Sequence, residues 1–196
     1  MFNTIEDIEK YAKNKNILLL NSEIIDYIKR RIKLFNLNKI LEIESPLAYS
    51  IINFADANEN IKITDFEFKR NNFIDNIKMI KEFNIDEKVT VFFTNVNDIT
   101  FNNKYNLINL NIINKDHLQL FDKLKEQLEN NGFITISNIG YYKKLKRLSK
   151  NNDSKQAKDY LTSIEKVLEY FDTNDDFLVE YIDLADGLLV AQKVVK

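Results

Sequence analysis

A chain of 196 residues, 44% hydrophobic and 30% charged, carries enough apolar material for one globular core and reads as a single domain over 1–196. With no Cys and one His, it excludes disulfide frameworks, thiolate-bound metals, thiol nucleophiles and His-rich metal sites. A net charge of -2 gives no global pull toward nucleic acid or acidic membranes. No apolar run reaches the ~18 residues of a spanning helix, so a cytoplasmic protein without a membrane partner is expected.

Along the chain, Ile5, Ile8, Tyr11 and Ala12 predict a short helix over 5–13. Ser22 precedes a second helix over 23–35, with Ile24, Ile25, Ile28, Ile32 and Phe35 on one face and Lys29, Arg30, Arg31 and Lys33 on the other. These make a helical extension over 1–36, and the core occupies 37–196. An apolar strand at 39–43 is followed by Pro46, a good first helical residue, and a helix over 47–57. A strand at 61–68, a helix at 72–83 and a strand at 88–93 come next. Then follow a strand at 105–111, a helix at 116–128 stopped by Asn130-Asn131-Gly132, and a strand at 133–137. Strands that alternate with helices and read as continuous apolar runs argue a parallel sheet covered on both faces. After the polar stretch 151–155 comes a long amphipathic helix, 156–171. Strands at 177–183 and 188–195 flank Ala185-Asp186-Gly187, a hairpin signal.

The run Lys39-Ile40-Leu41-Glu42-Ile43-Glu44-Ser45-Pro46-Leu47-Ala48-Tyr49-Ser50 resembles the first motif, K-I-L-E-I-G-T-x-x-G-Y-S, of S-adenosylmethionine (SAM)-dependent O-methyltransferases of the catechol type. That group includes the bacterial tRNA 5-hydroxyuridine methyltransferases. The strand 105–111 is similar to the family's Y-D-x-I-F-I-D, the strand around Gly132 to its G-G-x-I-x-x-D-N, and Asp186-Gly187-Leu188 to its D-G-L hairpin. The resemblance implies a Rossmann-like α/β fold: a seven-stranded methyltransferase sheet with a C-terminal antiparallel hairpin and an N-terminal helical extension.

It also implies a function, methyl transfer from SAM to a hydroxyl of tRNA wobble 5-hydroxyuridine or of a small catechol-like acceptor. The cofactor positions fall on Glu42, Glu44, Ala48, Ser50, Glu67 and Asn95. Of these, Glu67 matches the acidic residue that holds the ribose, Asn95 stands where the family has an Asp near the adenine, and Glu44 and Ala48 replace two glycines. The divalent-metal positions fall on Asn111, Ser137 and Asn138, all neutral, so loss of the metal is expected. Asn111, with Asn114 and Lys115, would be the catalytic set. His117 opens a helix and reads as a solvated helix-start residue. Lys143, Lys144, Lys146 and Arg147, beside Tyr141 and Tyr142, form the best local basic patch and would be the contact to tRNA phosphates. The family's enzymes commonly pair, so a homodimer is implied. The alternative, from a different class, is a catalytically silent methyltransferase fold kept as a binding or assembly module.

Overall fold

A computed structural model of the chain describes residues 2–111, 120–140 and 155–194. Seven strands form a mixed sheet in the order β3-β2-β1-β4-β5-β7-β6, the Rossmann-like α/β arrangement expected from the resemblance. The chain divides into two compact units, residues 1–102 and 103–196. Among the described residues no helix is long and apolar enough to cross a membrane.

In the first unit, helix α1 (Ile5–Lys15) starts with a capping box. The Asp7 amide donates to Thr4 Oγ1 at 3.2 Å, and the Thr4 amide donates to the Asp7 carboxylate at 3.1 Å. Helix α2 (Ser22–Leu34) is capped by Asn21, whose side chain accepts from the Glu23 amide at 2.8 Å. It buries the predicted stripe Ile24, Ile25, Ile28 and Ile32. Strands β1 (Lys39–Ile43), β2 (Lys62–Glu67) and β3 (Val89–Phe93) are parallel. Glu42 stands in register with Asp65, and Glu67 with Phe93.

The helix expected over 47–57 is different at its start. Pro46–Ala48 is a single 3-10 turn, and α3 (Tyr49–Ala55) begins after it. Glu44, Leu47 and Ala48 take left-handed backbone conformations, at φ 53°, 56° and 50°. Apolar periodicity and Pro46 carry no sign of that turn. Helix α4 (Arg70–Glu82) then leads back to β3. The expectation that both faces of every parallel strand are covered fails at β3, where Phe92 and Phe93 are 47% and 51% exposed. Only a 3-10 turn, Val96–Asp98, lies between β3 and the next strand, so β3 is the sheet edge, met by α4 through Phe73 and Phe93 at a centroid distance of 5.9 Å.

In the second unit, β4 (Tyr105–Asn111) and β5 (Leu128–Ser137) are parallel, and β7 (Leu188–Lys193) runs antiparallel to both β5 and β6 (Phe177–Ile182). The expected C-terminal hairpin is present. The expected helix end is not. Helix α5 (Phe121–Lys125) stops earlier, and β5 begins at Leu128. Asn130-Asn131-Gly132 therefore lies inside a strand, at an irregularity where the partners of Tyr105 and Leu107 jump from Leu128 to Phe133. Asn131 absorbs the extra length with φ 62°. Helix α6 (Lys155–Thr173) carries Tyr170 and Phe171, which meet Phe121 and Phe177 edge to face at centroid distances of 5.2–6.0 Å.

Candidate functional site

The carboxyl ends of β1 and β2, with the turn at 44–48, bring together Glu42, Glu44, Asp65 and Glu67, all buried. Asp65 and Glu67 are both 0% exposed and lie two residues apart on β2, so their side chains share one face of the strand. Glu42 sits in register with Asp65 on the neighbouring strand. Its Oε2 accepts from Ser50 Oγ at 3.1 Å, and Ser50 Oγ lies 2.7 Å from Ser45 Oγ.

One side chain from α4 organises this cluster. Asn76, also 0% exposed, accepts the Ala48 amide at 2.8 Å through Oδ1. Its Nδ2 donates to Ser45 O at 2.9 Å, to Asp65 Oδ2 at 3.0 Å and to Glu67 Oε1 at 2.8 Å. The turn, β2 and α4 are thereby clasped by a single amide. Asp65 Oδ1 and Glu67 Oε2 remain buried without a hydrogen-bond partner. Burial first, then the Glu67 and Glu42 charges, push the Asp65 carboxyl well above the usual carboxylate range. Burial and then the Glu44 charge raise Glu67 to about 7.

The sequence-derived cofactor set is thus gathered at Glu42, Glu44, Ala48, Ser50 and Glu67. Asn95 follows Thr94, whose amide donates to Glu67 O at 3.1 Å; it is exposed and donates to Asp98 Oδ2 at 3.2 Å. In the second unit, Ser137 is buried and its hydroxyl donates to Leu110 O at 3.4 Å, while half-buried Asn138 adopts φ 64°. Asn111 ends β4 in register with Ser137. The Asn111 side chain, Asn114, Lys115, His117, Tyr141, Tyr142, Lys143, Lys144, Lys146 and Arg147 lie outside the described residues. Among the described residues no three acidic or His side chains are arranged to hold a metal ion.

Sequence reasoning passes over Asn76 and Asp65 as site residues. The signal for Asn76 is its position: three residues after Phe73 and four before Ile80, a polar side chain stands on the apolar face of α4. The signal for Asp65 is an acidic residue inside an apolar strand, in register with a second acid on its neighbour.

For a SAM cofactor, the first unit's residues do not fit. The backbone has the left-handed form that glycine supports, yet at Glu44 the turn carries a buried carboxylate. Glu67, the residue matched to the ribose position, is sealed from solvent and bonded to Asn76.

No family model matches the sequence. Solved structures do resemble it in fold. A caffeoyl-CoA O-methyltransferase-type protein from Staphylococcus aureus matches with a TM-score of 0.84 at 18% identity, over 98% of this chain and 93% of that one. An O-methyltransferase of Streptomyces achromogenes involved in tomaymycin synthesis, solved with SAM, matches at 0.81 and 13% identity, over 100% and 91%. An O-methyltransferase from Bacillus cereus, solved with S-adenosylhomocysteine (SAH), matches at 0.81 and 12%, over 98% and 91%. The chain has the fold these proteins share.

Proposed function

We propose that this chain, with the fold of SAM-dependent O-methyltransferases, works as a binding module whose first-unit cofactor half-site is filled by its own side chains. The observation that carries the reading is the Asn76 clasp, because it commits Glu67 and the Ala48 amide to the protein itself. Glu44 supports it by adding negative charge beside Glu67. The first unit also holds a cavity of about 340 Å³, bordered by Leu47 of the turn and by Phe2, Tyr11 and Met79. That volume suits a small ligand. The basic run at 143–147 favours RNA as a macromolecular partner of the module.

A second reading, SAM-dependent methyl transfer to a hydroxyl, is favoured by one observation. Glu67 Oε2 lacks a partner and would accept a ribose hydroxyl if the side chain swung outward. Its support from outside is that neighbours of this fold were solved with SAM and SAH. Neutral donors at Ser137 and Asn138 suit a hard divalent cation poorly, so neither reading assigns it a role. Calorimetry with SAM and SAH separates the two. The binding module is expected to show no saturable binding tighter than about 100 µM. Micromolar binding together with methyl transfer to a catechol or to tRNA would replace it with the enzyme.

A further inference from the structure

The Asn76 amide has two hydrogens and faces three acceptors, two of which belong to carboxyl groups with no exposure to water. The second oxygen of each carboxyl, Asp65 Oδ1 and Glu67 Oε2, is buried and without a partner. The largest influences on the pair among the described residues come from acids or neutral groups. Strand β1 contributes Glu42, the turn contributes Glu44, α4 contributes Asn72 and Asn76, and β3 places Phe93 in register with Glu67. None of these groups is a cation. Two buried anions side by side would draw on donors from Asn76, Asn72 and the Ser45 backbone, but on no cation among the named groups, so burial of both charges is poorly compensated. A proton relieves this at once. It neutralises one group and turns one of the unmatched acceptors into a donor.

We propose that a proton held by the Asp65–Glu67 pair keeps the turn 44–48 shut against α4, and that losing it as pH rises releases the turn. The inference rests on the closed half-site described above and names its regulation. Below neutrality the pair carries at most one charge and Asn76 holds all four of its bonds. Above it, Glu67 ionises beside Glu44 and Asp65, the acids nearest it repel the new charge, and the cheapest relief is for the carboxylates to swing toward water. Glu67 and Asp65 are the very acceptors of the Asn76 amide. Their departure loosens the side chain whose Oδ1 shares the Ala48 amide with Ser45 O, the carbonyl that Asn76 also holds, so the whole turn is released. The half-site is therefore gated by protonation rather than fixed closed.

Hydrogen–deuterium exchange on the protein alone tests this without any cofactor, so its failure is distinct from a failure of the calorimetry. Corrected for intrinsic exchange rates, protection of the Ala48 amide should fall at least about tenfold between about pH 6 and about pH 9, while β5 amides such as Ile134 keep theirs. In Glu67→Gln, which mimics the protonated acid, Ala48 protection should stay within about twofold across that range. A flat wild-type profile overturns the proposal, as does a parallel loss at Ile134 and Ala48, or an equal loss in Glu67→Gln. Should Glu67→Gln not fold, Asp65→Asn and the carboxyl carbon shifts of the wild type decide. One of the two acids titrating above about pH 6 upholds the shared proton, and both titrating near the ordinary value of about 4 removes it.

Discussion

At Glu44 and Ala48 the chain holds left-handed conformations with L side chains, where glycine would carry no Cβ penalty. The double variant Glu44→Gly, Ala48→Gly should therefore gain about 1 kcal/mol per site, read as a higher urea midpoint with an unchanged slope. The same variant removes the charge beside Glu67, and its SAM affinity should exceed that of the wild type in calorimetry. Asn76→Ala is the opposite case. It strips a donor from two buried carboxyls and an acceptor from a buried amide, and should cost about 2–4 kcal/mol in urea unfolding. The pH dependence has a definite sign. Glu67 is raised from 4.5 to about 7 in the folded protein, so the native state binds more protons than the unfolded chain between those values. Its contribution is fully present below about pH 4.5 and is lost as pH rises through about 7. Melting temperature should fall across that window, and the fall should be smaller in Glu67→Gln.

Element by element, amphipathic spacing placed α2 and α4 close to their true positions because each buries one face, α2 against α3 and α4 against the turn, β2 and β3. Strands β1, β2 and β4 were legible as apolar runs, and Asp-Gly marked the hairpin. The misses have local causes. The turn at 44–48 is stabilised by a tertiary contact from Asn76, which no short-range pattern encodes. The irregularity at Asn131 imitates a helix stop because Asn and Gly serve both roles. Strand β3 reads as buried on hydrophobicity alone, yet it is an edge strand with Phe92 stacked on Phe66 at 5.2 Å and still 47% exposed. Such an uncharged edge invites pairing with other chains. Phe92→Lys should lower light scattering on heating, with a loss of about 1 kcal/mol from the stacked pair. If scattering is unchanged, this edge is not where association starts.

For the whole molecule, the net charge of -2 means that any affinity for RNA must come from a local basic patch, and the run at 143–147 is the proposed one. Binding of an anticodon stem-loop should weaken steeply with salt, and replacing Lys143, Lys144, Lys146 and Arg147 by Ala should flatten the log–log salt slope by about 3. Equal slopes for both proteins would exclude that run as the contact. The left-handed turn, finally, ties two properties that usually oppose each other. Restoring function to a protein ordinarily sacrifices robustness. Here the glycines that, on the proposed reading, would open the half-site to a cofactor are also the residues the backbone prefers. A laboratory selection for heat resistance alone, with no SAM present, should enrich Gly at positions 44 and 48 and drift toward an adenosyl-binding protein as a by-product.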